Sequence, residues 1–111
     1  MKSLKKVIKE VFYDTLYEAD VVMRSDTDKN ITKITDNLRG LCGITICTVA
    51  SPAKKVAPNV ERTYLKIKFF KLEPTIKEHL ARMAIDARKV DGVFSFIPYK
   101  VDKVVNRIYR N

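Results

Sequence analysis

Two stretches of this sequence share one pattern: an apolar helical segment ends at a glycine, and a β-rich apolar segment follows directly. The first stretch covers residues 38–49 with its glycine at Gly43, and the second covers residues 83–99 with its glycine at Gly92. Glycine adopts the left-handed backbone conformation that ends a helix without steric cost. Each stretch therefore predicts a sharp turn from a helix into a strand.

An extended apolar run precedes each unit, at residues 20–24 and at residues 63–71. Strand, helix and strand, repeated twice, is the layout of a two-layer α+β plait of the ferredoxin-like type. In such a plait a four-stranded antiparallel sheet carries two helices on one face. We therefore predict a single domain over residues 1–111 with this plait at residues 20–99. The T-x-x-E capping box at residues 75–78 predicts where the second helix begins.

Three segments fall outside the predicted strands and helices of the plait. Apolar residues at helical spacing over residues 3–17 predict an extra amphipathic helix within residues 1–18. Residues 50–60 contain two prolines and predict a long exposed connection between strands. Pro98 predicts the end of the last strand. Residues 100–111 then form a basic C-terminal segment, either a short helix or an extension of the strand.

The net charge is the one extreme of the composition. The chain has 22 Lys and Arg against 13 Asp and Glu, which gives a formal net charge of +9. A small basic domain is attracted to nucleic acid, to anionic membranes or to acidic protein surfaces, although lysines also serve solubility alone. No apolar run reaches the roughly 18 residues of a membrane span. No signal-peptide core is present near the N-terminus, and we expect a cytoplasmic protein.

The strand predicted at residues 63–71 bears most directly on function. Its side chains alternate, so Leu65 and its alternate neighbours face the helices, and the opposite set faces away from them. That opposite set comprises Tyr64, Lys66, Lys68 and Phe70. Aromatic rings and lysines on an open antiparallel sheet are typical of proteins that bind single-stranded nucleic acid, because bases stack on the rings and phosphates contact the cations.

Two further lysines belong to the candidate site. Lys54 and Lys55 lie in the predicted connection, where they are available to a polyanion. The whole arrangement resembles an RRM domain in layout, but the RNP1 consensus of that class has no match in the segment RTYLKIKFF. The alternative is that the N-terminal helix, the C-terminal segment or a second subunit covers this face of the sheet.

Catalytic and metal-binding motifs are not found in this sequence. It has no GxSxG, P-loop, GxGxxG or HExxH motif, and its acidic residues are scattered singly. The only histidine, His79, is predicted on the surface of the second helix. Cys42 and Cys47 are predicted to be buried, reduced thiols. We expect a protein that is not an enzyme and that has no cofactor, no metal and no small-molecule substrate.

The run ITKITDNLRGLCGITICTVASPAKK resembles small uncharacterised proteins of tailed bacteriophages. In those proteins a helix, a G-[IV]-T-[IV] strand, a long loop and a charged strand follow one another. The resemblance covers roughly residues 20–98. It implies a ferredoxin-like fold and a viral setting, in the host cytoplasm or in the virion, and it carries over no binding residues.

Two functional hypotheses follow. The first is a non-catalytic basic protein that contacts nucleic acid, or an acidic protein surface, through the open sheet face and the lysine-bearing connection. The second is a structural or assembly subunit, of a phage virion for example, that uses the sheet face and terminal helices for protein–protein contacts and forms a homo-oligomer.

Overall fold

The computed structural model describes residues 16–104. Within that range the chain forms five strands, two α-helices and one short 3-10 turn. The strands are β1 (Leu16–Asp26), β2 (Ile44–Val49), β3 (Lys54–Ala57), β4 (Val60–Phe70) and β5 (Val93–Lys103); the helices are α1 (Ile31–Leu38) and α2 (Ile76–Ala87), and the 3-10 turn is Leu41–Gly43. No helix in this range has the length and apolar character needed to cross a bilayer.

The strands form one antiparallel sheet. Its order is β2-β4-β1-β5, and the short β3 pairs with the beginning of β4 on the same side as β2. Helix α1 connects β1 to β2, and helix α2 connects β4 to β5, so each helical connection skips one strand of the sheet. This α+β arrangement is compatible with the predicted ferredoxin-like plait.

The predicted number of strands is wrong, because four were expected and residues 16–104 contain five. The additional strand, β3, lies inside the segment that was predicted as an open connection. Lys54 is opposite Arg62 in β4, and Asn59 makes the turn between the two strands with a φ of 63°. All four β3 residues are exposed, so no alternation of buried and exposed positions marks this strand in the sequence.

The core lies between the helices and one face of the sheet. Odd-numbered residues of the two central strands are buried there, and residues from both helices pack onto them: Ala19, Val21 and Met23 of β1, Leu65, Ile67 and Phe69 of β4, Ile34 and Leu38 of α1, and Met83 and Ala87 of α2. The prediction that the helices cover one face is therefore confirmed. The other face, which bears the even-numbered residues of β1 and β4, is called the open face below.

The predicted helix boundaries are partly confirmed. The Thr75 hydroxyl caps α2 by accepting a hydrogen bond from the Glu78 N–H at 3.1 Å. Gly43 and Gly92 both have positive φ, 75° and 89°, as the helix-to-strand turns require. Helix α2 ends at Ala87, so a turn of several residues separates it from Gly92.

Strands β1 and β5 are longer than predicted. The predicted N-terminal helix is wrong at residues 16–18, which belong to β1, and the rest of it lies outside the described residues. Strand β5 continues through Pro98 to Lys103. It is an edge strand of the sheet with a register shift beside Pro98, and proline is tolerated in both situations. Residues 105–111 of the predicted basic segment lie outside the described range.

Candidate nucleic-acid interface

The open face consists of rows of side chains that run across the sheet. In an antiparallel sheet, residues that lie opposite each other on neighbouring strands project from the same face. The strand register therefore shows which side chains from different strands are neighbours. Four successive rows run from the turn between β3 and β4 towards the opposite end of the sheet, and their chemistry differs.

The first row has cations on β3, β4 and β1 and ends at Ser95 of β5, and we call its three cations the cation row. Lys54 of β3 lies opposite Arg62 of β4, and Arg62 lies opposite Arg24 of β1. None of the three forms a salt bridge within residues 16–104. Lys54 and Arg24 are exposed, and the Nε of Arg62 is buried without a hydrogen-bond acceptor in the described part of the chain.

The second row is aromatic and aliphatic, and we call it the ring row. Tyr64 lies opposite Val22, and Val22 lies opposite Ile97 of β5. Tyr99 meets Tyr64 edge to face, with ring centroids 6.3 Å apart and an angle of 83°. The guanidinium of Arg62 lies 5.4 Å from the centroid of the Tyr64 ring, which links the two rows by a cation–π contact.

The third and fourth rows contain both lysines and carboxylates, and we call them the mixed rows. Lys66, Asp20 and Lys100 form one of them, and Lys68, Glu18 and Asp102 form the other. The Lys66 Nζ lies 3.5 Å from Glu18 Oε1 and 3.7 Å from Asp20 Oδ1. The two rows together contain three lysines and three carboxylates, so they have no net formal charge.

The structure places five of the six predicted site residues on the open face. Tyr64 is in the ring row, Lys54 in the cation row, and Lys66 and Lys68 in the mixed rows. Phe70 is on the same face, at the far end of β4 opposite Leu16. The sixth residue, Lys55, lies opposite Glu61 and therefore projects from the other face.

Five residues of the cation and ring rows, Val22 of β1 among them, were not predicted as site residues from the sequence. Arg62 continues the alternation of β4 by one step before Tyr64, so a longer strand prediction would have included it. The others, Arg24, Ile97 and Tyr99, come from β1 and β5, and only the register brings them beside β4. Tyr99 also sits at a register shift, which a simple alternation does not predict.

A second group of polar side chains lines a cavity of about 320 Å³ beside α2. The Cys42 thiol donates a hydrogen bond to Asp86 Oδ2 at 3.1 Å, and Arg82 contacts both Asp86 and Glu73. Burial, together with the Asp86 carboxylate, raises the pKa of the Cys42 thiol to about 11. The thiol is therefore protonated near neutral pH and is a poor nucleophile.

His79 lies beside this cavity and is only 1% exposed, so its predicted position on the surface is wrong. Its ring stacks on Phe69 with centroids 5.0 Å apart, and its Nδ1 accepts a hydrogen bond from the Leu72 N–H at 3.0 Å. Burial lowers the pKa of the imidazole. The histidine thus connects α2 to the segment that follows β4.

The two cysteines are free thiols; Cys47 is buried as predicted, and Cys42 is partly exposed. Within residues 16–104 no group of three or more His, Cys, Asp or Glu side chains is placed to hold a metal ion. No protein-family model matches the sequence, and no curated protein matches it either.

Proposed function

We propose that this protein binds single-stranded nucleic acid through the cation and ring rows of its open face. The observation that supports this proposal most strongly is that the two rows are adjacent. Arg62 stacks on Tyr64, Tyr64 meets Tyr99, and the cations beside them have no carboxylate partner in residues 16–104. Cations of this kind attract phosphates, and exposed rings provide surfaces for bases.

The electrostatic balance of the face supports the proposal and refines the predicted site. Lys66 is engaged with Glu18 and Asp20, so it offers a phosphate less than its charge alone suggests. Arg62 forms no salt bridge within residues 16–104 and its guanidinium lies over the Tyr64 ring, and arginine combines phosphate contact with stacking on rings. The centre of the proposed interface therefore shifts from Lys66 and Lys68 to Arg62 and its neighbours.

The proposal is tested by fluorescence anisotropy with labelled oligo-dT and oligo-U at low salt. The variant is Tyr64→Leu with Tyr99→Leu, which keeps apolar bulk and removes both rings. Stacking contributes about 1–3 kcal/mol per base, so we expect affinity to fall by roughly tenfold or more. Ile85→Ala with Leu72→Ala removes exposed apolar side chains elsewhere and should leave the affinity unchanged. Equal affinity of the tyrosine variant and the parent protein would contradict the proposal.

The second candidate function is assembly, and strand β5 favours it. This strand lies at the edge of the sheet, and it exposes Phe94, Ile97 and Tyr99 by 51, 55 and 57%. Exposed apolar side chains on an edge strand are typical of surfaces that pair with another chain. In this hypothesis the protein is a subunit of a larger structure, with the phage virion as the setting that the sequence resemblance implies.

A substitution of Phe94, which is not part of the ring row, distinguishes the two hypotheses. Phe94→Ser, which adds no charge beside the cation row, should abolish a concentration-dependent oligomer, measured by light scattering, if assembly through β5 is the function. The same variant should leave nucleic-acid affinity intact if the proposed interface is right. If the unsubstituted protein stays monomeric at all concentrations measured, the assembly hypothesis is wrong.

A further inference from the structure

The row structure of the open face restricts the path that a bound strand can take. The cation row spans three neighbouring strands, β3, β4 and β1, which lie about 4.8 Å apart. It therefore runs across the sheet for about 10 Å, at right angles to the β-strands. The ring row runs parallel to it, displaced by two residues along each strand, or about 7 Å.

The mixed rows limit the path on the other side. Glu18 and Asp20 occupy their centre, and Asp102 adds a third carboxylate at the edge. A phosphate placed there would meet carboxylates as closely as lysines, and like charges repel at these distances. A polyanion that follows β4 from Arg62 to Lys68 would have to cross this region, so a lengthwise path is disfavoured.

We propose that the ligand is a single strand that lies crosswise on the sheet. Its phosphates follow the cation row from Lys54 to Arg24, and its bases extend over the ring row onto Tyr64 and Tyr99. This inference rests on the proposed function and adds to it the orientation of the bound strand and the residues that contact its phosphates and bases. Because the bases of a duplex are stacked inside the helix and unavailable to the rings, a duplex uses the cations only and binds more weakly.

The orientation is tested by the salt dependence of binding. For a single strand, the slope of log K against log salt changes by about 0.7 for each phosphate contact that is lost. Arg24→Gln and Lys54→Gln should each reduce the slope by about that amount with oligo-dT and with oligo-U. Both side chains are exposed, so the substitutions leave the core intact.

The matched control removes an ion pair from the mixed rows without changing the net charge. Lys66→Gln combined with Asp20→Asn should leave both the slope and the affinity unchanged. A slope that falls in this control, with no change in the Arg24 and Lys54 variants, would overturn the crosswise path and leave nucleic-acid binding itself standing. Failure of the unmodified protein to bind either oligonucleotide would overturn both proposals. Equal affinity for a duplex of the same length would overturn the single-strand assignment.

Discussion

His79 accepts a hydrogen bond from the Leu72 N–H through Nδ1, and this contact requires a neutral imidazole. Protonation of Nδ1 would place its own N–H against the N–H of Leu72, and the hydrogen bond would be lost. Burial lowers the pKa of His79 below its ordinary value of 6.5, so the unfolded chain takes up a proton more readily than the folded protein. The free energy of unfolding should therefore be fully maintained above about pH 6.5 and should decrease as the pH falls below it, towards the lowered pKa.

This prediction is checked by urea unfolding between about pH 7.5 and about pH 5.5, a range in which carboxyl groups titrate little. His79 is the only histidine of the chain, so a change in the free energy of unfolding with pH in this range is assigned to its imidazole. His79→Phe retains a ring beside Phe69, loses the hydrogen bond and should flatten the pH dependence over this range. An equally steep decrease in His79→Phe would show that another group is responsible.

Thr63 is fully buried, and its hydroxyl has no hydrogen-bond partner in the described part of the chain. Thr63→Val replaces that hydroxyl by a methyl group of similar size and should raise the free energy of unfolding by about 1 kcal/mol. The control is Thr35→Val, because the Thr35 hydroxyl donates to the Thr32 carbonyl at 2.9 Å. That variant should lose stability in thermal or urea unfolding, and a loss in both variants would contradict the account of Thr63.

The burial of His79 illustrates how far a sequence predicts a single residue. His79 lies three positions after Ile76 and four before Met83, so the helical period already places it on the buried stripe of α2. The position of His79 in the helical period therefore decides its burial, and its polar residue type does not. The partners of His79 are Phe69 of β4 and Leu72 of the segment that follows β4, and no sequence pattern identifies them.

At the scale of elements, the glycines between helix and strand differ in what surrounds them. A Cβ on Gly43 would lie 2.6 Å from the Phe70 carbonyl oxygen, whereas a Cβ on Gly40 would meet nothing within 4 Å. Both residues have positive φ, 75° and 91°. Gly40→Ala should therefore cost only the backbone strain, about 1 kcal/mol, and Gly43→Ala should cost about 2–5 kcal/mol because β4 must also move.

Thermal unfolding of the two alanine variants measures this difference directly. Equal losses of stability would mean that the close approach of the 3-10 turn to β4 is not required by the fold. The two helix–glycine–strand units were predictable because apolar spacing and glycine together indicate where each helical segment ends, and Thr75 indicates where α2 begins. Strand β3 was not predictable, because an exposed strand with two flanking prolines carries none of these signals.

At the scale of the whole molecule, charge is distributed unevenly over the open face, because the cation row has three cations whereas the mixed rows have as many carboxylates as lysines. The alternation within β4 correctly predicts that Tyr64, Lys66, Lys68 and Phe70 share a face. The carboxylates that neutralise Lys66 belong to β1, and their position depends on the register between the two strands. Register follows from the packing of the whole sheet, so the division of the face into cationic and balanced halves could not be predicted from one strand.

The most direct test of the proposed interface is an NMR titration of the full chain with a short oligo-dT. The account predicts that the largest shifts occur in the rings of Tyr64 and Tyr99 and in the methyl groups of Val22 and Ile97. Methyl groups of the helix layer, such as Ile85, should be unaffected. Shifts concentrated on the helices, or an unperturbed ring row in the presence of bound oligonucleotide, would contradict the account.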